Sequence, residues 1–141
     1  MKKKKQLDRL IQIREVVCEK VKEGLFRAQT KLTQEEMTLE QLLAYQQSYA
    51  WQKDRKASGL ALSSAQMMAV NVGKAVQHQR QQVAVQTANC RSAQENYVVE
   101  KRQLRTAEVL LEKHQSVLDR KAEKAEQNLQ DEFSARIFYS A

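Results

Sequence analysis

Residues 83–125 have the sequence VAVQTANCRSAQENYVVEKRQLRTAEVLLEKHQSVLDRKAEKA, in which an apolar side chain returns at every seventh position. The same spacing reaches back toward the middle of the chain, and the full ladder comprises Ala69, Val76, Val83, Cys90, Tyr97, Leu104, Leu111, Leu118 and Ala125. A heptad repeat of this length holds one seam of an α-helix against a partner helix and supercoils the pair left-handedly. The stretch therefore predicts one long helix of a coiled coil.

A shorter ladder with the same spacing supplies the partner helix. Its members are Ile11, Cys18, Leu25, Leu32 and Leu39. Residues 58–64, SGLALSS, lie between the two ladders and form a Gly-containing break that is long enough to reverse the chain. We therefore predict an all-α fold in which two long helices form an antiparallel coiled-coil hairpin, with the second helix the longer.

The predicted hairpin is a single domain over residues 1–141. Its first helix spans about residues 6–57, its turn about 58–64 and its second helix about 65–137, with Ser63 or Ser64 as the N-cap of the second helix. The chain contains no Pro, the residue that would break or kink a helix at a cost of about 3 kcal/mol. Nothing else in the sequence interrupts either helix.

The position of the turn determines which residues face each other. If the chain reverses near residues 60–62, the numbers of facing residues add to about 122. Arg14 then falls near Glu108, which predicts an ion pair between the helices. Cys18 and Cys90 are separated by about 20 Å along the hairpin, beyond the reach of a disulfide, so both thiols are expected to be reduced.

The second helix outlasts the first, and everything beyond about Val117 has no helix of its own chain to cover it in this register. The uncovered segment keeps an apolar stripe, which comprises Leu118, Ala122, Ala125, Leu129, Phe133 and Ile137. Exposure of such a stripe leaves about 25 cal/mol per Å² of burial unrealised, so it is a candidate docking surface. Fraying of this end, or a homodimer that covers the stripe, are the alternatives.

No pattern in the chain indicates catalysis or a cofactor. His78 and His114 are isolated and are expected at exposed or flanking positions, and there is no HExxH, Cys-x-x-Cys or carboxylate cluster with the spacing of metal ligands. The three Gly residues lie far apart, so they form no phosphate-binding loop. We therefore predict that the protein is not an enzyme and needs no cofactor.

The formal net charge is +7, and Lys residues 2–5 carry four of these charges. Residues 55–94 contain no Asp or Glu, so the turn end of the hairpin is positive and can attract an acidic partner. Because the basic residues form no continuous stripe and are not interleaved with aromatic residues, nucleic-acid binding is not expected. The longest apolar run, residues 67–70, is too short to span a bilayer, which favours a cytoplasmic protein.

Three segments resemble one known family. Residues 42–49, LLAYQQSY, resemble the first-helix signature of the FliJ family of flagellar type III export, whose injectisome relatives are the YscO-type proteins. Residues 74–80, KAVQHQR, resemble the opening of that family's second helix, and residues 131–133 with Arg136 resemble its end. The length, the turn position and the hairpin architecture agree over nearly the whole chain.

The resemblance implies a stalk or adaptor of a type III secretion export ATPase, from either a flagellar or an injectisome system. Such a protein inserts its terminal end into the hexameric ATPase and links it to the export gate membrane protein or to export chaperones. It is cytoplasmic and peripheral at the inner-membrane export apparatus. The residues predicted to contact the ATPase are Leu7, Leu10, Ile11, Leu118, Leu129 and Phe133.

The resemblance also implies a patch that binds the export gate or a chaperone, and it consists of Leu42, Tyr45, Tyr49, Met68, Val72 and Ala75. In the register above, Tyr49 lies near Val72. The patch departs from the family at Met68, where an aromatic is usual, and at Gln79, where the family has a histidine. Packing between the helices is the alternative role for Leu42, Tyr49 and Val72. For the whole protein, the alternatives are a generic coiled-coil scaffold or chaperone-like adaptor, and a basic rod that binds nucleic acid or membrane.

Overall fold

The computed structural model describes residues 2–53 and 59–140, with side chains described over 2–49 and 63–139. Helix α1 spans Lys2–Lys53 and helix α2 spans Gly59–Ser140. The two helices contain 52 and 82 residues and pack against each other. The predicted fold class is therefore confirmed: the chain is a helical hairpin whose second helix is the longer.

The helix bounds differ from the predicted ones at the centre of the chain. We predicted a turn over residues 58–64, but α2 begins at Gly59, so residues 59–64 are helical and residue 58 lies outside the described residues. Leu60, Ala61 and Leu62 are good helix formers, and no Pro stops the helix from starting early. Ser63 and Ser64 therefore lie inside α2, and neither is its N-cap.

The outer ends of the helices also lie further out than predicted. Helix α1 includes the four Lys of residues 2–5 and begins before residue 6, whereas α2 continues beyond residue 137 to Ser140. Within α1, the hydroxyls of Thr30, Thr33 and Thr38 each donate a hydrogen bond of 2.9–3.0 Å to the carbonyl four residues earlier. These bonds satisfy the hydroxyls without interrupting the helix.

The chain divides into two compact units, and each contains a segment of both helices. The terminal unit comprises Met1–Glu19 and Val99–Ala141, and the inner unit comprises Lys20–Val98. The prediction of a single domain is not tested by this division and stays a prediction.

In the inner unit, the core of the α1–α2 seam combines apolar and polar side chains. Val76 is only 5% exposed, and Gln79 and Gln86 are buried beside it along α2. The amide nitrogen of Gln79 donates hydrogen bonds to the backbone carbonyl of Glu35, at 2.9 Å, and to its carboxylate. Glu35 therefore lies opposite Gln79, and this buried amide has the partners that its burial requires.

In the terminal unit, Ala107 is 3% exposed and Arg14 crosses from α1 to α2. The Arg14 guanidinium donates to the side-chain oxygen of Gln103 at 2.5 Å and lies 3.7 Å from the Glu100 carboxylate. The predicted pair of Arg14 with Glu108 is therefore wrong, because Glu108 instead lies 3.3 Å from Arg105 of its own helix.

The numbers of facing residues add to 114 in both units, as the pairs of Glu35 with Gln79 and of Arg14 with Glu100 show. Our predicted sum of about 122 was too high by about two helical turns. The physical reason is the early start of α2: when residues 59–64 are helical, the helices close on each other at lower residue numbers.

Cys18 and Cys90 are both free thiols and both half-buried. Their predicted separation of about 20 Å along the hairpin is wrong, because in the observed register Cys18 lies opposite residue 96 and Cys90 is only about 9 Å further along. No helix among the described residues combines the length and the apolar character that a membrane crossing requires.

Candidate functional site

The most exposed apolar surface of the terminal unit lies at the end of α2. Over residues 118–139, which we call the extension, every side chain is exposed. Leu118 is 39% exposed, and Leu129 and Phe133 are each 66% exposed. These three are the predicted ATPase contacts of α2. Their exposure confirms the prediction that the stripe beyond Val117 is uncovered in the isolated chain.

The three predicted ATPase contacts of α1 have a different environment. Leu7 and Ile11 are half-buried on the seam, and by the pairing of Arg14 with Glu100 one heptad away, Leu7 lies opposite Ala107. Leu10 is 37% exposed at the edge of the seam. Leu7 and Ile11 therefore already have a packing role, and Leu10 is the more available of the α1 residues.

Two grooves run along the terminal unit, one on each side of the α1–α2 seam. The first, of about 350 Å³, is lined by Lys3, Leu7, Leu110, Lys113, His114 and Val117. The second, of about 500 Å³, is lined by Lys4, Leu111, Glu112, Gln115, Ser116 and Asp119. Neither groove was predicted from the sequence, because each combines residues of α1, such as Lys3 or Lys4, with residues of α2 that lie at the same level only in the observed register.

His114 is the clearest position where the sequence-based prediction failed. We expected an exposed or flanking histidine, but it is half-buried, and its Nε2 atom is buried without a hydrogen-bond partner among the described residues. The signal was present in the sequence. His114 lies three residues after a ladder residue, as do Gln79, Gln86 and Glu100, and this set of positions forms the second half of the α2 seam.

A pair of tyrosines marks the predicted patch of the inner unit. The ring centroids of Tyr45 and Tyr49 lie 4.9 Å apart at an interplanar angle of 59°, and the Tyr45 hydroxyl donates to that of Tyr49 at 3.4 Å. The hydrogen bond between the two hydroxyls, followed by desolvation and by repulsion between the two phenols, raises the pKa of Tyr49 above its ordinary value of 10.0. The Tyr49 phenol is therefore neutral at physiological pH.

The other patch residues divide into exposed and half-buried side chains. Leu42, Tyr49 and Val72 are half-buried, whereas Tyr45, Met68 and Ala75 are exposed. Val72 lies opposite Leu42, one heptad from the pairing of Glu35 with Gln79, so our predicted placement of Tyr49 near Val72 is wrong. The physical reason is the same shift of register. The packing role that we left open for Leu42 and Val72 is consistent with this geometry.

The described surface exposes the apolar stripe of the extension and, in the inner unit, the ring of Tyr45. Exposed apolar and aromatic side chains on a helical hairpin are typical of the class of proteins that bind other proteins. No group of metal-ligating side chains is found where the structure describes the chain.

A family model described as "Flagellar FliJ protein" matches residues 3–141, and the chain belongs to this family. The family is non-catalytic, has structural and adaptor roles, and is associated with the flagellar export machinery. No curated protein and no solved structure matches the chain.

Proposed function

We propose that this protein is the central stalk or adaptor of a type III secretion export ATPase complex. The terminal unit inserts into the ATPase hexamer, and the inner unit links the hexamer to the export gate or to export chaperones. The protein then works in the cytoplasm, peripherally at the inner-membrane export apparatus. The observation that carries the proposal is the exposure of the apolar stripe along the extension of α2.

The extension is suited to binding because α1 leaves the apolar side chains of Leu129 and Phe133 largely exposed. Leu118, Leu129 and Phe133 are exposed, whereas seam residues such as Ala107 are buried by α1. Covering a Leu or Phe side chain fully stabilises a complex by about 1.5–3 kcal/mol relative to leaving it in water. Burial of these side chains against the ATPase therefore contributes a favourable free energy of binding that the isolated chain does not have.

The inner unit supplies the second surface of the proposal. Tyr45 is 52% exposed and Met68 is 41% exposed, and both types of side chain suit a protein interface. Because the Tyr45 ring makes a tilted ring contact and a hydrogen bond with Tyr49, the exposed ring is already oriented before a partner arrives. These features support the assignment of this patch to the export gate or a chaperone.

The test is stimulation of ATP hydrolysis by the export ATPase of the same system. The wild-type protein is expected to accelerate phosphate release. The double variant Leu129→Asp with Phe133→Asp is expected to remove at least about 90% of that acceleration, because it places charges on two side chains that the complex would bury. Gln127→Asp with Gln130→Asp is the matched control, with the same added charge on the same exposed segment.

Circular dichroism spectra and melting temperatures establish that both double variants remain folded. If the wild-type protein has no effect on hydrolysis and does not bind the ATPase, the stalk role is wrong. A generic scaffold would give that result.

A further inference from the structure

The two sides of the terminal unit differ in character. Residues at heptad spacing lie on the same side of a helix, so the side that contains the first groove can be followed along both helices. On α1 it leads from Lys3 to Leu10 and Val17, and on α2 from Lys113 to Val99. Leu110, Val117 and Val99 are 48–49% exposed on this side. We call it the apolar side, and its apolar members are Leu7, Leu10, Val17, Val99, Leu110 and Val117.

The opposite side, which contains the second groove, carries charges that already have partners. Arg105 lies 3.3 Å from the Glu108 carboxylate and 3.6 Å from that of Glu112. Glu112 also lines the groove together with Lys4 and Asp119, so both signs of charge are present. We call this the charged side. It is an ordinary solvated surface and needs no further covering.

A layer of two helices with one apolar side buries that side against another element. On the apolar side, residues 99–117 of α2 offer a length of about 27 Å, which is enough for five turns of a third helix. The charged residues that line the groove, Lys3 and Lys113, are both basic, and none of the lining residues is a carboxylate. A helix that fits here has an apolar stripe and carries carboxylates near Lys3 and Lys113.

Charge argues against a second copy of this chain as the occupant. An isologous dimer would place the apolar side against itself, and this groove offers Lys3 and Lys113 no counter-charge. The extension is a separate surface, since neither Leu129 nor Phe133 lines the groove. The occupant that fits the apolar side is therefore a different protein and not a second copy of this chain.

We infer that the paired part of the terminal unit, where α1 covers α2, contacts the export ATPase with its apolar side and not with its charged side, in addition to the contact made by the extension. It does so by accepting one amphipathic, acid-edged helix of the ATPase as the third helix of a bundle. This inference rests on the proposed function and adds to it the side of the stalk that makes contact. It assigns contacts to Lys3, Lys113 and Val117, none of which is among the residues predicted from the sequence to contact the ATPase. The charged side stays in contact with solvent.

Neighbouring residues that turn to opposite sides provide matched variants. Val117→Glu places a charge on the apolar side, and Ser116→Glu places the same charge on the charged side one residue earlier. We expect Val117→Glu to raise the Kd for the ATPase at least about tenfold and Ser116→Glu to change it less than about twofold, measured by biolayer interferometry. Circular dichroism melts check that each variant keeps the hairpin.

A second pair tests the charge argument. Lys3→Glu is expected to raise the Kd about five-fold or more and to weaken the dependence of binding on salt, while Lys4→Glu, on the other side, leaves both within about twofold. Because Lys3 lies at the start of α1, this pair is informative even if Val117→Glu loosens the end of the hairpin.

Equal effects of the two variants in either pair overturn the one-sided contact, and they do so while wild-type stimulation of hydrolysis still supports the stalk. Sedimentation velocity supplies the remaining outcome. If the wild-type chain is a dimer and Val117→Glu makes it a monomer, the occupant is a second copy and our inference is wrong. If the wild-type chain does not bind the ATPase, the inference falls together with the proposed function.

Discussion

The paired part of α2 and its extension have the same kind of sequence but different surroundings. In the paired part, Val76 and Ala107 are 5% and 3% exposed, because α1 covers them. In the extension, Leu129 and Phe133 are 66% exposed, although they continue an apolar pattern along the same helix. Burial here depends on where the partner helix ends and not on the pattern itself. Apolar residues that the fold does not use are available for binding.

The largest expected effect is a loss of stability in the paired part of α2, where the seam is buried. Val76→Asp places an unpaired carboxylate in the seam, and we expect it to lower the free energy of unfolding by about 3 kcal/mol. Phe133→Asp is the control in the extension and is expected to change stability by less than about 0.5 kcal/mol, because the side chain is exposed. Urea unfolding followed by circular dichroism measures both, and equal values would contradict the distinction.

A smaller effect is expected at the buried amide of the seam. Gln79→Ala removes the hydrogen bonds to the carbonyl and carboxylate of Glu35, and should cost about 2 kcal/mol. Gln130→Ala in the extension should be nearly neutral. A double-mutant cycle of Gln79→Ala with Glu35→Ala should give a coupling free energy of about 1 kcal/mol, and additivity would show that the two side chains do not interact in solution.

The smallest expected effect tests the register of the two helices through the pairing of Arg14 with Glu100. Arg14 and Glu100 are partly exposed, so their coupling free energy is expected to be only about 0.5–1 kcal/mol. Exchanging the two charges, Arg14→Glu with Glu100→Arg, should restore stability that either single variant loses. The same exchange with Glu108 should restore nothing, since Glu108 pairs with Arg105. If exchanging the charges of Arg14 and Glu108 restored stability, the register predicted from the sequence would be right and the observed one wrong.

The helices and the uncovered extension could be predicted, because both follow from heptad spacing and from the unequal lengths of the two ladders. The register could not, since the start of α2 depends on whether Leu60, Ala61 and Leu62 extend the helix or form the turn. A shift of about two turns then changed the partners of Arg14 and Tyr49. The two grooves could not be predicted, because the register decides which residues of α1 and α2 lie at the same level and line a groove together.

The central claim is that the terminal unit, through the extension of α2, is the end that meets the ATPase. Hydrogen exchange followed by mass spectrometry, with and without the ATPase, tests it most directly. We predict slower exchange over residues 118–139 in the complex and unchanged exchange over residues 79–98 of the inner unit. Unchanged exchange over residues 118–139, in a sample where binding is saturated, would contradict the account.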